Sequence, residues 1–249
     1  MKRMIPLIIC AALIVSSLSG CVAVNFMGRS YNSTTVTGTG DKESYEFTVG
    51  DYSAIRVEGY CDVWYYSAPS DIVTLEVQPN LREYFTVEVV NGELIVRTPR
   101  GVNINTPKTP VLMISTPVLE SLTIEGFSTF TAYDKITGES FTLTLGGRGN
   151  GRAELDVDTL SVDMAGMGNF ELSGRADSAG LNMSGAGNLN ALALQTRDAN
   201  VTIAGMGTVR ISCSDNLTVD AGGMGTVEYR GSPSTNINTG GMVSIKRVD

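Results

Sequence analysis

Three aromatic residues close together in the chain, Tyr60, Trp64 and Tyr66, are the side chains best suited to hold a ligand. Their even spacing puts them on one face of an extended strand, with Val57, Cys61, Val63 and Tyr65 on the other. Flat rings on a rigid sheet suit stacking against sugar rings or against a partner protein. The alternative is that a hairpin at Asn91-Gly92 covers them as part of a cap. Catalytic chemistry finds less support. Histidine is absent, which removes the commonest general base and metal ligand and makes Ser-His-Asp and Cys-His arrangements impossible. No carboxylate pair stands out, although the paired acids of a glycosidase can lie far apart in a chain. Gly147-x-Gly149-x-Gly151 lacks the helix that a nucleotide-binding loop requires. Gly146 to Asn150 lacks the aspartate and the nine-residue recurrence of calcium-binding glycine repeats. Neither metal nor cofactor is expected, and no catalysis; a polysaccharide-active enzyme on a β-helix is the alternative that analogy keeps open.

The elements that position these residues are legible in a repeat. Eight glycines, Gly59, Gly126, Gly147, Gly166, Gly185, Gly205, Gly223 and Gly241, each sit at the centre of one short pattern. From Gly126 onward the gaps are 21, 19, 19, 20, 18 and 18 residues. A fixed period of this size marks a stacked solenoid. Apolar residues stand two and four positions before the glycines, as in Leu122/Ile124, Val162/Met164 and Val201/Ile203, loosening in the last two coils to Val219/Ala221 and Ile237/Thr239. This alternation belongs to strands with one buried face. Three positions after the glycine the residue is short or polar, four after it is apolar in seven of eight cases with Gly151 the exception, and five after it turns outward.

Each unit therefore reads as strand, glycine-centred corner, strand and turn. The fold expected is all-β: a parallel β-helix or β-solenoid of about 18–21 residues per coil. At the inter-strand spacing, seven coils stack to about 30–35 Å. No window outside the N-terminus carries a helical apolar stripe. The residues just after the glycines, Tyr60, Phe127, Arg148, Met167, Ala186, Met206, Met224 and Met242, form a further column. It is read as a core ladder inside the corner, because large exposed apolar patches are rare; the alternative is an adaptable sticky surface. Cys61 and Cys213 fall in different columns of distant coils, too far apart to bridge, and are expected as buried thiols.

Between Gly59 and Gly126 the period breaks. Strand-like runs at Val73–Val77, Phe85–Val90, Glu93–Thr98 and Val111–Thr116 fill the interval, with Asn91-Gly92 as a hairpin signal. Residues 41–118 are read as larger N-terminal coils with a cap, and 119–249 as regular coils of the same single domain, 41–249. Lys246 and Arg247 are placed to blunt the edge at the other end.

Residues 1–21 read as a targeting segment: Lys2 and Arg3, an apolar core from Met4 to Val15, then Leu18-Ser19-Gly20-Cys21. That last run resembles the lipobox of bacterial lipoproteins, which implies lipid attachment at Cys21 and a membrane anchor. An ordinary cleaved signal with an incidental cysteine is the alternative. Val22 follows with no acidic cluster, which argues against inner-membrane retention and leaves the outer membrane, on either face, as the expected site. Residues 22–40, rich in Ser, Thr, Asn and Gly, read as a tether spanning about 25 Å relaxed and about 65 Å taut. Without Lys2 and Arg3, sixteen basic residues face twenty-six acidic ones, a net charge of −10. Such a body suits neither nucleic acid nor anionic lipid.

Several stretches resemble a family of bacterial exported proteins, the putative auto-transporter adhesin, head GIN domain family. They are Ile55-Arg56-Val57-Glu58-Gly59, Gly92-Glu93-Leu94-Ile95-Val96, Leu119 to Gly126, and the corners Gly166-Met167-Gly168-Asn169 and Gly185-Ala186-Gly187-Asn188. Where that family usually carries Gly-Ala-Gly or Gly-Ser-Gly, several corners here carry methionine. The resemblance implies a β-solenoid, an envelope location and no established reaction. The expectation is a lipid-anchored envelope protein with a rigid, adhesion-like binding head for a glycan or protein ligand. A scaffold or sensing module that associates through the solenoid ends is the other non-catalytic alternative.

Overall fold

Alternation of apolar and polar residues runs through the regular coils, and the burial of successive side chains follows it. The computed structural model describes residues 34–249; the expected targeting segment with Cys21, and positions 22–33 of the expected tether, lie outside the described residues. The first part contains β1 (Thr34–Thr37), β2 (Glu43–Phe47), β3 (Ala54–Val57), β4 (Asp62–Ser67), β5 (Ile72–Val77), β6 (Thr86–Val90), β7 (Glu93–Arg97), β8 (Val102–Asn105) and β9 (Val111–Thr116). The second contains β10 (Ser121–Ile124), β11 (Phe127–Ala132), β12 (Ile136–Leu145), β13 (Arg148–Met164), β14 (Met167–Met183), β15 (Ala186–Ile203), β16 (Met206–Ala221), β17 (Met224–Arg230), β18 (Ser234–Thr239) and β19 (Met242–Arg247). The fold is the expected β-solenoid; one short 3₁₀ turn, Pro79–Tyr84, interrupts it in the first part.

Each of β13 to β16 leaves one corner glycine, travels round the coil and ends just before the next. Coils pair in parallel register, with Asn169 over Asn150 and Met183 over Met164. Side chains of one column therefore stack. Val96, Val57, Ile124, Leu145, Met164, Met183, Ile203 and Ala221 form one continuous buried row. Burial of each large apolar member contributes about 1.5–3 kcal/mol, so neighbouring coils hold each other. Gly151 breaks the opposite row for a local reason: the ring of Phe170 in the next coil occupies the space its side chain would need.

The corners are stacked backbone. The amide of Met167 donates to the carbonyl of Gly147 at 2.9 Å, and that of Met206 to Gly185 at 2.9 Å. A Cβ on Gly166 would fall onto the carbonyl oxygen of Gly147, and the same holds for each corner glycine from Gly126 to Gly241 against the one beneath. The corner is glycine because no side chain fits between two backbones this close.

The interval between Gly59 and Gly126 departs from the expected larger coils. β10 and β11 stack directly on β3 and β4, as if nothing intervened. The intervening chain builds an extra rung on the far side instead, with β7 on β3 and β9 on β4. Antiparallel β2, β5 and β6 then close that end. Asn91 (φ 52°) and Gly92 (φ 78°) form the turn between β6 and β7, both left-handed as a tight hairpin requires. The tether is also shorter than expected. β1 pairs with β8, and Asn80 accepts from the Thr39 amide at 2.9 Å, so residues 34–40 belong to the cap.

Candidate ligand-binding face

The strand β4 separates its side chains as the spacing requires. Val57, Cys61, Val63 and Tyr65 are buried, and Tyr60, Trp64 and Tyr66 lie on the outer face, partly exposed. Trp64 meets Tyr133 edge-on, with ring centroids 5.6 Å apart and planes at 75°. Tyr66 stacks on the same Tyr133 at 5.1 Å and 4°. Tyr60 is separate: it packs on Phe127 at 5.6 Å, and its hydroxyl lies 3.2 Å from that of Thr109. The three predicted aromatics thus divide into a Trp64–Tyr66–Tyr133 cluster and a Tyr60–Phe127 pair. The hairpin at Asn91-Gly92 covers neither, because β7 extends the sheet of β3 rather than that of β4.

The outer face continues from the cluster along the coils. Thr131 lies beside Trp64 in register, followed by Arg152, Glu171 and Asn190 on successive strands. Alongside runs an amide ladder in which Asn169 donates its side-chain amide to Asn150 at 3.1 Å and Asn188 donates to Asn169 at 2.7 Å. These two columns line a shallow groove of about 470 Å³. Stacking rings at one end and a row of amides, hydroxyls and charges behind them can hold an elongated polar ligand.

The sequence reading aligns Phe127 with Tyr60 in the column after the glycines but does not single out Tyr133, although a signal is present. Tyr133 and Phe127 each lie 67 residues after their partners, Tyr66 and Tyr60, the same interval that separates Gly126 from Gly59. The column after each glycine corrects a second expectation. It is not a core ladder: Phe127, Met167, Met206 and Met224 are about half exposed and Met242 is 74% exposed. The alternation persists through the corner, so the residue two after the glycine points inward and the methionine must point out. In the middle coils that inward place is glycine because the backbones are too close for a side chain: a Cβ on Gly187 (φ 150°) would fall on the carbonyl oxygen of Gly168; in the last coil the place is taken by Val243.

Cys61 and Cys213 are free and buried. Desolvation pushes the Cys61 thiol up to about 12, so it is unreactive near neutrality. Among the described residues no three of Cys, Asp and Glu gather as a metal cluster, and no helix is long and apolar enough to cross a membrane.

Comparison with known proteins places this geometry. Residues 51–233 match the family model described as putative auto-transporter adhesin, head GIN domain. No curated protein matches the chain. A putative adhesin from Bacteroides fragilis superposes with a TM-score of 0.79 at 18% identity, over 86% of this chain and 100% of that one. A putative adhesin from Parabacteroides merdae gives 0.66 at 21% identity, over 86% and 99%. A putative lipid binding protein from Parabacteroides distasonis gives 0.68 at 22% identity, over 87% and 100%. At these identities the likeness bears on the fold alone.

Proposed function

We propose that this chain, which belongs to the putative auto-transporter adhesin, head GIN domain family, is the rigid recognition head of an exported, lipid-anchored envelope protein. Its ligand is a glycan laid across the outer face of the coils. The observation that carries this reading is the Trp64–Tyr66–Tyr133 cluster, continuous with the amide ladder from Asn150 to Asn188. Aromatic faces bind the apolar sides of sugar rings, and amides exchange hydrogen bonds with ring hydroxyls. Parallel coils fix the backbone that carries these groups, which lowers the ordering cost at binding. Absence of histidine supports binding without catalysis.

The test is a glycan screen with the full chain, followed by Trp64→Ala and Tyr133→Ala. Each variant is expected to weaken a captured glycan about tenfold while the melting temperature holds. Unchanged affinity with an intact fold removes the reading. Anchoring is tested separately by Cys21→Ala, which moves the protein from the membrane to the soluble fraction if Cys21 carries lipid.

Association through a solenoid end is a second reading, favoured by one observation. β18 is exposed at every position and Met242 projects from β19, so this rung presents an unpaired edge among the described residues. Light scattering that shows a mass independent of concentration would exclude it.

A further inference from the structure

Coil length is not constant along the stack, and the variation cuts a second groove. The coil from Gly185 to Gly205 has 20 residues, while the next two have 18. The register against the next coil shifts twice: Ala191 pairs with Ile211 and then Gln195 with Ser212, leaving Leu192–Leu194 unmatched, and one residue is given back between Thr196 and Asp198. Bulges of this kind re-aim neighbouring side chains. Beside this irregularity lies a trough of about 490 Å³, a few residues further round the same coils than the outer-face groove: Glu171 and Asn190 line the groove, Arg175 and Gln195 the trough.

Its lining differs from the rest of the molecule. In a body of net charge −10, Arg175, Arg197 and Arg230 line it against one carboxylate, Asp177. Arg175, Gln195, Ser212 and Arg230 stand in register on four successive coils. Two guanidiniums therefore end a row about 14 Å long, with an amide and a hydroxyl between them. Arg175 and Arg197 are held by Asp177 at 2.6 Å and Asp215 at 3.3 Å. Arg230 has no carboxylate partner among the described residues; it reaches back to the Leu192 carbonyl of the bulge at 3.4 Å. Arg247 stands beside it, donating to Ser232 at 2.9 Å. Asp177 is already committed to Arg175, and no second carboxylate lines the trough, so paired acid–base hydrolysis has no basis here.

We propose that this trough is a separate binding site for an acidic oligosaccharide bearing carboxylates or sulfates. Guanidinium forks at its ends match the paired oxygens of a carboxylate or a sulfate, and Gln195 and Ser212 suit the hydroxyls of the rings between. The volume fits a few sugar rings. The site does not depend on the aromatic face.

Calorimetric titration of the full chain with oligogalacturonate and with sulfated dextran oligomers tests it. At least one should bind, and the fully methyl-esterified oligogalacturonate should not. Arg175→Gln and Arg230→Gln should each weaken binding about tenfold, whereas Trp64→Ala should leave it unchanged. Raising salt from about 50 mM to about 500 mM should weaken it further. Failure of both acidic ligands to bind, or equal binding of the neutral ester, overturns the proposal. So does wild-type affinity in both arginine variants with an unaltered melting temperature. Inorganic sulfate that binds as tightly as the oligomers also overturns it, because the trough would then read a bare anion.

Discussion

Two adjacent glycines make the strictness of the corner measurable. A Cβ at Gly223 would fall on the carbonyl oxygen of Gly205, whereas one at Gly222 meets nothing within 4 Å. Gly223→Ala should therefore cost more than about 3 kcal/mol, or abolish expression, while Gly222→Ala stays within about 0.5 kcal/mol. Thermal melting of the two variants checks this, and equal loss from both would mean that the stacked backbones can part. The corner glycines themselves were plain in the chain, because a residue type recurring at a fixed interval needs no tertiary knowledge. The methionines beside them are less plain, because hydrophobicity argues for the core while parity argues against it: counting by twos from Val162 through Gly166 to Phe170 puts Met167 outside. Phe170 over Gly151 was invisible, since only the packed coils reveal a ring filling its neighbour's vacancy.

At the level of the strand, ladders that stack identical columns also stack charge. The outer face avoids this by alternation: Asn182 donates to Asp163 at 3.3 Å, Asn216 to Asp198 at 2.6 Å and Asn238 to Asp220 at 3.2 Å. Like charges placed directly opposite would destabilise the pair. Across the last coils Glu228 receives Arg210 at 2.6 Å and Lys246 at 2.9 Å, joining β16, β17 and β19. The hydrogen bond from Arg210, then that from Lys246, holds its carboxyl below the usual glutamate value. A depressed native pKa gives stability that is full above the ordinary glutamate range and is lost as pH falls through the native value. Glu228→Gln should thus melt below wild type at neutrality, with the gap closing as pH falls through and below the ordinary glutamate range. A gap that persists in acid would assign the loss to packing. The aromatic cluster shows where strand-level reading ended: Trp64 and Tyr66 were found within one strand, but Tyr133 required knowing that Gly126 sits on Gly59 across 67 residues. The topology that reconnects them, with an extra rung built outside the first, leaves no local trace in the chain.

For the molecule as a whole, nearest-neighbour stacking with one closed end sets a gradient of stability. Antiparallel β2, β5 and β6 cover one end, whereas β18 is exposed throughout at the other. Amide hydrogen exchange should be slowest in β13 to β15 and fastest in β18 and β19, with opening that spreads inward from the uncovered rung. Uniform protection would indicate a single cooperative unit instead. β1 adds a mechanical consequence. It pairs with β8 alone, in a two-stranded sheet of its own apart from the main stack. Any pull arriving along the backbone from the N-terminal side meets this four-residue pair first. It would yield before the coils feel the load, like a fuse that lengthens the chain while the stack stays folded.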